Sequence, residues 1–189
     1  MKEIRINNLS KGFGEKQVLN GLSLSFETEK VTLIIGASGK GKTTLLRILS
    51  GLEAADTGEI QGLDNIKISY LFQEDRLFPW LTAAENVLAV GGSKEKALCL
   101  LSELGLSDSA DKFPHELSGG MRRRVAIART LMFDGDVIIL DEPFQGLDSE
   151  TEKNTLEVIK KYCMGKTVVA VTHDVTQFNG YTDKIITLN

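Results

Sequence analysis

The sequence has 189 residues, of which 42% are hydrophobic and 25% charged, which suits one globular domain and hardly two independent ones. Its formal net charge of −4 argues against nucleic acid as the main partner, because nucleic-acid-binding domains usually carry a basic surface. No apolar run approaches the roughly 20 residues that span a bilayer, and the start lacks the apolar core of a signal peptide, so we expect a cytoplasmic protein.

The N-terminal part predicts short strands. Ile4 and Ile6 alternate with polar residues, and Leu22–Phe26 shows the same period of two. Gly12, Gly14 and Asn20–Gly21 supply turns between them. We therefore expect a small antiparallel sheet ahead of the main core.

The remaining chain alternates strand and helix patterns. Apolar, β-branched runs without alternation indicate strands that are buried on both faces, as in parallel sheets. Such runs are Val31–Ile35, Val137–Leu140 and Thr167–Val171, with further strands predicted at 66–71 and 185–188. Helices are predicted at 44–49 and 149–162, and the helical stretch 77–124 interrupts the alternation. This order predicts an α/β fold with a mostly parallel sheet and an inserted helical subdomain.

A glycine-rich loop follows the first buried strand. It fits G-x-x-x-x-G-K-[ST] at every fixed position, and a helix comes directly after it. Glycines allow backbone N–H groups to face a phosphate chain, Lys42 can neutralise the β- and γ-phosphates, and Thr43 can offer a hydroxyl to Mg²⁺. The predicted ATP contacts in this loop are Gly36, Ala37, Ser38, Gly39, Lys40, Gly41, Lys42, Thr43 and Thr44.

Two carboxylates end the second buried strand. Asp141 and Glu142 follow Val137–Leu140 directly, and ligands of parallel sheets bind at this edge. Asp141 is predicted to hold Mg²⁺, and Glu142 to orient or deprotonate the attacking water. Seen alone, the pair could equally be loop acids that cap the next helix.

A more specific motif, Leu117-Ser118-Gly119-Gly120-Met121, stands at the start of a basic helix. It resembles the signature of the ABC ATPase family, with Met121 in place of the usual glutamine. Ser118, Gly119 and Gly120 with the helix N-terminus can form a second anion site. In that family this site closes on the γ-phosphate of ATP held by the opposite subunit, which implies a head-to-tail dimer. The charge run predicts a solvated helix face for Arg122 and Arg123.

Other positions resemble family elements in order. Phe13 stands where an aromatic residue stacks on adenine, although it could instead be a strand-core residue. Gln73 matches the glutamine that touches Mg²⁺ or the water and senses the permease. Gly146–Asp148 matches the loop that crosses the dimer. His173 matches the histidine that contacts the γ-phosphate, so the implied catalytic set joins it with Glu142, Lys42 and Gln73.

The resemblance implies a P-loop NTPase (RecA-like) core with an N-terminal antiparallel β subdomain. One ABC ATPase domain would then span 1–189, with the core and β subdomain in 1–76 and 125–189 and the signature-bearing helical subdomain in 77–124. It implies ATP and Mg²⁺ as cofactors. The partners would be a second copy and transmembrane permease subunits, which place the chain peripherally on the cytoplasmic face of the membrane.

The segment Gln73–Thr82 is similar to importer ATPases for nitrate, sulfonate, taurine or similar small anions. That similarity implies an extracytoplasmic solute-binding protein as an indirect partner. Phe78, Pro79, Trp80 and Leu81 could line the permease groove, or Trp80 could pack inside the helical subdomain. A soluble ABC ATPase of DNA repair or translation is the alternative, although such proteins usually carry tandem cassettes, coiled-coil insertions or basic surfaces.

Overall fold

The computed structural model describes residues 3–188, which fold into two sheets and a set of helices. The strands are β1 (Ile4–Phe13), β2 (Lys16–Phe26), β3 (Val31–Ile35), β4 (Thr57–Gln61), β5 (Ile68–Leu71), β6 (Val137–Asp141), β7 (Thr167–Val171) and β8 (Lys184–Thr187). The helices are α1 (Lys42–Leu49), α2 (Ala83–Leu88), α3 (Lys94–Glu103), α4 (Gly119–Phe133) and α5 (Ser149–Tyr162). Short 3₁₀ turns lie at Ser107–Ser109, Pro114–Glu116 and Val175–Phe178.

The predicted antiparallel sheet is present, with strand order β2-β1-β4. Ile4 pairs with Phe26 and Ile6 with Leu24, and Ile4, Ile6 and Leu9 are buried, with the pairing register shifted between Ile6 and Leu9. The third strand, β4, was not expected from the sequence. Four of its five residues are exposed, so it lacks the apolar alternation that marks a strand.

The main sheet is wholly parallel in its pairings and has the order β5-β6-β7-β3-β8. Every residue of β6 and of β7 is buried, as their apolar runs predict. Along β6, Val137 and Ile139 face one apolar core with α1 and the antiparallel sheet. Ile138 and Leu140 face a second core with the helices α2 to α5. The parallel sheet therefore separates two cores.

The chain between β5 and β6 is helical, as predicted. Thr82 begins α2 with a capping box, in which its hydroxyl accepts from the Glu85 amide and the Glu85 carboxylate accepts from the Thr82 amide. Ser93 and Ser118 cap α3 and α4 with their hydroxyls alone, which accept from the amides of Lys96 and Met121. The helices α2 and α3 pack on α4, and α4 also contacts strand β5 of the parallel sheet. Between residues 3 and 188, no helix has the length and apolarity to cross a bilayer.

Candidate active site

Three loops leave the parallel sheet at one edge, because β6, β7 and β3 are neighbours in it. In register, Asp141 pairs with Val171, and Val171 pairs with Ile34. The glycine-rich loop after β3, the acidic end of β6 and His173 beyond β7 therefore emerge side by side. Parallel α/β sheets bind their ligands at this edge.

The glycine-rich loop needs glycine at its ends. Gly36 has a φ of 150°, and a Cβ built on it would lie 2.4 Å from the Leu188 carbonyl oxygen. Gly41 has a φ of 84° and is the N-cap of α1, and its Cβ would lie 2.7 Å from Leu19. Such positions exclude other residues and leave backbone N–H groups at the helix start for an anion. Ala37 to Lys40 between them are exposed, and Thr44 lies in the first turn of α1.

Lys42 lies inside this loop and is only 7% exposed. Its Nζ donates to the carbonyl oxygens of Gly36 at 2.6 Å and Ala37 at 3.0 Å. The loop itself therefore holds the ammonium, because a buried cation needs acceptors around it. A phosphate that enters the loop would meet a cation that is already in place.

Asp141 and Thr43 form a pair of oxygen donors beside the loop. Asp141 is 1% exposed, and its Oδ2 accepts from the Tyr70 hydroxyl at 3.5 Å. Its Oδ1 has no hydrogen-bond partner among the described residues. Burial raises the pKa of Asp141, while the neighbouring Thr43 hydroxyl and Arg123 guanidinium oppose that rise. An unpartnered buried carboxylate oxygen beside a hydroxyl suits a hard cation such as Mg²⁺.

Within residues 3–188, no cluster of three or more His, Cys, Asp or Glu side chains could hold a metal by itself. Magnesium in phosphoryl-transfer sites commonly takes one or two carboxylates and completes its shell with substrate phosphates and water. Thr43 and Asp141 fit that arrangement. Gln73 is exposed just beyond the end of β5, so its side chain is free to reach the same edge.

Glu142 and His173 form the other predicted pair. Glu142 Oε1 lies 3.1 Å from His173 Nε2, and the glutamate side chain is 12% exposed against 60% for the histidine. Glu142 adopts a φ of 50°, which is uncommon for a residue with a side chain, and its amide donates to the Val171 carbonyl. Burial raises the pKa of Glu142, and His173 opposes that rise. A carboxylate in this setting is suited to accept a proton.

The signature residues lie apart from this edge within one chain. Ser118 caps α4, and its Oγ accepts from the Met121 amide at 3.2 Å. Ser118 and Gly119 are exposed. Among the hydrogen bonds of residues 3–188, none joins these residues or Gly120 to the glycine-rich loop.

Phe13 and two residues of the loop 146–148 are the remaining predicted positions. Phe13 is 50% exposed at the end of β1, so it is not a strand-core residue. The Lys11 ammonium lies 5.2 Å from its ring centroid. Asp148 caps α5, since its carboxylate accepts from the amides of Glu150 and Thr151. Gly146 lies beside the signature, since a Cβ built on Gly120 would be 3.3 Å from the Gly146 carbonyl oxygen.

One prediction about the basic helix is wrong. Arg123 does not lie on a solvated face but is 2% exposed, while Arg122 is partly buried and donates to the Leu117 carbonyl. The helical period could have shown this, because Ala126, Ile127 and Thr130 stand three, four and seven positions later and are all buried.

The buried strand, the glycine-rich loop with its internal lysine and the acidic end of β6 define a P-loop NTPase fold. The sequence profile of the ABC transporter family matches residues 19–145. The aliphatic sulfonates import ATP-binding protein SsuB 1 of Agrobacterium fabrum is 38% identical over 191 residues, covering 96% of this chain and 69% of its own. The chain belongs to the ABC transporter family, as one of its ATP-binding, ATP-hydrolysing subunits.

Two further similarities extend over nearly the whole chain. The lipoprotein-releasing system ATP-binding protein LolD of Porphyromonas gingivalis is 39% identical over 208 residues, covering 97% of this chain and 94% of its own. A dimeric ATP-binding cassette, solved in a post-hydrolysis state with ADP and Pi, superposes with a TM-score of 0.88 at 33% identity. That comparison covers 98% of this chain and 94% of the solved one.

Proposed function

We propose that ATP hydrolysis takes place where β3, β6 and β7 end, with Glu142 as the general base. Glu142 takes a proton from a water, whose oxygen attacks the γ-phosphorus as the bond to the β–γ bridging oxygen breaks. Lys42 and the loop N–H groups neutralise the phosphate charge, and His173 contacts the γ-phosphate. The observation that carries this proposal is the 3.1 Å Glu142–His173 pair, just beyond the ends of the strands β6 and β7.

Thr43, Asp141 and Gln73 are the residues that would hold Mg²⁺. When bound, Mg²⁺ supplies charge neutralisation at the β- and γ-phosphate oxygens. Support comes from the unpartnered Asp141 Oδ1 and from the proximity of the Thr43 hydroxyl. Phosphate release from ATP, measured with Mg²⁺ and with excess EDTA, tests both proposals. We expect slow turnover that EDTA abolishes, and release equal to a protein-free control would contradict the assignment.

A second copy of the chain would complete the site. Ser118, Gly119 and Gly120 sit at the N-terminus of the 15-residue helix α4 and have no bond to their own phosphate loop within the described chain. In a head-to-tail dimer, each signature would contact the nucleotide held by the other copy. The dimeric state of the similar ADP-bound cassette supports this arrangement.

The permease would dock in the groove beside the edge strand β5. This groove has a volume of about 480 Å³ and is lined by Phe72, Arg76, Phe78 and Arg129, among others. Trp80 stands nearby, 5.5 Å from Phe78 between ring centroids, and is 69% exposed, so it does not pack inside the helical segment. Exposed aromatic residues of this kind commonly mark a protein interface. The chain would thereby be held at the cytoplasmic face of the membrane.

The transported solute is proposed to be a small anion such as a sulfonate, taurine or nitrate, taken up with a solute-binding protein. The similarity to the sulfonate-import protein supports it. The lipoprotein-releasing relative, at 39% identity, favours the rival of lipoprotein release. Uptake of labelled taurine, nitrate and an alkanesulfonate distinguishes anion import from lipoprotein release. The uptake is compared between cells that carry both this chain and its permease and cells that carry the permease alone. Uptake of none of them would contradict anion import.

A soluble role in DNA repair or translation is the remaining alternative. Salt-sensitive, tight binding to DNA or RNA would support it. The net charge of −4 and the transporter relatives both argue against it.

A further inference from the structure

Arg123 on α4 is one of the largest fully buried side chains of the described protein, and its guanidinium holds the end of β6. Nη2 donates to the carbonyl oxygens of Asp141 at 2.6 Å and Glu142 at 2.8 Å. Nε donates to the carbonyl of Pro143 at 3.1 Å. The guanidinium therefore binds three consecutive backbone carbonyls, those of Glu142 and of the residues directly before and after it.

This stretch of backbone needs an external hold. Glu142 has a φ of 50°, and a residue that carries a side chain is strained in this left-handed region. Such a conformation persists only where surrounding contacts over-determine it. The Arg123 bonds and the Glu142 amide bond to the Val171 carbonyl supply those contacts. The direction of the Glu142 carboxylate follows from this backbone geometry.

The same guanidinium also holds the segment after β5. Nη1 donates to the carbonyl oxygens of Phe72 at 2.6 Å and Gln73 at 3.1 Å, and lies 3.4 Å from Asp75 Oδ1. Since Nη1 and Nη2 share one planar group, the Gln73 backbone and the Glu142 backbone are fixed relative to each other. Neighbouring Arg129 binds the carbonyls of Asp75 and Arg76 only, and so contacts one of the two segments.

Filling space alone does not require an arginine here. An apolar side chain of similar volume would avoid the desolvation of a buried charge. Lysine would retain the charge but lose the planar fork, whose five N–H groups here meet five carbonyls and one carboxylate. The geometry of the fork is therefore the property that this position uses.

We propose that Arg123 is a positioning residue for ATP hydrolysis, which sets the backbone of Glu142 against that of Gln73 across the active site. The inference rests on the proposed role of Glu142 as general base. Arg123 itself contacts carbonyl oxygens and Asp75 but not the carboxylate of Glu142. It acts on turnover through Glu142, because a misplaced base loses rate even where substrate binding is intact.

The first experiment compares Arg123→Lys with the wild type in kcat, in KM for ATP and in Tm. We expect kcat to fall by about 10- to 100-fold, as for a base displaced by about 1 Å, with KM within about threefold. Arg129→Lys is the matched control on the same helix, since Arg129 donates only to the carbonyls of Asp75 and Arg76 and so contacts one of the two segments, and both variants are assayed without a permease. The control should lose comparable Tm and keep kcat within about threefold. Equal loss of kcat in both variants would overturn the proposal.

The second experiment repeats Arg123→Lys in a Glu142→Gln background. If Arg123 acts through Glu142, the residual rate should change by less than about twofold, because the two effects are not additive. A full second loss of rate would overturn the inference and leave Glu142 as the base. Unchanged turnover in Glu142→Gln alone would instead contradict the proposed function. Should Arg123→Lys not melt cooperatively, Arg123→Gln, which removes the buried charge, takes its place with the same expectations.

Discussion

Glu142 Oε1 and His173 Nε2 lie 3.1 Å apart across the ends of two hydrogen-bonded strands, β6 and β7. The glutamate is nearly enclosed and the histidine reaches solvent. The glutamate is also anchored through its backbone, whereas the histidine follows the strand on an exposed loop. Of the two, His173 is the group that can rearrange when a nucleotide enters, and Glu142 is the fixed one.

Replacing Glu142 with glutamine should stop turnover without loss of ATP binding. The amide keeps the shape of the side chain but cannot accept the proton, so we expect kcat to fall at least about 100-fold and the ATP-bound dimer to accumulate. Phosphate release and size-exclusion chromatography with ATP measure the two effects. Glu157→Gln on the exposed face of α5 is the control. Turnover within about twofold of the wild type in Glu142→Gln would remove Glu142 from the mechanism.

Asp141→Asn should stabilise the nucleotide-free protein at neutral pH. Burial raises the pKa of Asp141 above its ordinary value of 3.8, so between the two values the folded state binds more protons than the unfolded state. The free energy of unfolding therefore falls as pH rises through that window, and asparagine removes the cost. We expect a gain of about 1 kcal/mol, or about 2–4 °C in Tm, near pH 7.

Thermal melts of both proteins across pH measure this difference. The advantage of the variant should shrink as the pH falls through the raised pKa of folded Asp141, and it should vanish below 3.8, where Asp141 becomes protonated in both states. Stabilisation by Mg-ATP should be lost in the same variant, since its metal ligand is gone. A lower Tm than the wild type near pH 7 would contradict the electrostatic account.

Gly36→Ala should destabilise the protein far more than Gly165→Ala. Both glycines have positive φ, but a Cβ at Gly36 meets the Leu188 carbonyl oxygen at 2.4 Å, whereas none lies within 4 Å at Gly165. We expect about 1 kcal/mol for Gly165→Ala from strain alone, and about 3 kcal/mol or more for Gly36→Ala. Urea unfolding measures both. Equal losses would show that the loop can move away from Leu188.

Gly119→Asp should block the dimer and spare the monomer. A Cβ at this exposed position meets only the end of Arg122 at 3.9 Å, so the fold accommodates it. The added carboxylate would repel the γ-phosphate of the partner's nucleotide. In a Glu142→Gln background we expect no ATP-dependent dimer, with the Kd for ATP within about threefold.

Gly119→Ala is the matched control, because it adds the Cβ without the charge. It should retain a dimer when both are measured by light scattering. A stable ATP-bound dimer of the aspartate variant would mean that the signature does not face a partner's phosphates.

Much of the fold could be predicted, because its central strands can be recognised from local sequence. Val137–Leu140 and Thr167–Val171 are apolar on both faces, and such continuous apolar runs indicate buried strands without any knowledge of which strands pair with them. The strand β4 was missed because its pairing with β1 is made by backbone bonds, while four of its five residues face solvent. The sequence of such a strand does not show the alternation of apolar and polar residues that predicts a strand.

The site residues were predicted from motifs, and the contacts that hold them were not. The Glu142–His173 pair joins residues 31 positions apart and arises only from the order of β6 and β7. Arg123 was placed in solvent because three successive arginines suggest a charged face. Five of its six acceptors are backbone carbonyls, which every residue carries and no sequence pattern distinguishes.

Because alternate side chains of β6 pack into two different cores, the fold should tolerate a change in the length of this strand less well than an exchange of its apolar residues. Valine, isoleucine and leucine could exchange along it at modest cost, since both faces are apolar. Deleting one residue ahead of Asp141 would send the side chains on one side of the deletion to the opposite core, and a shift of the C-terminal part would turn the terminal carboxylates away from the loop beside β3. Insertions and deletions should thus be far rarer in this strand than conservative exchanges, whereas β4 places only Ile60 against the apolar core and has less packing to lose.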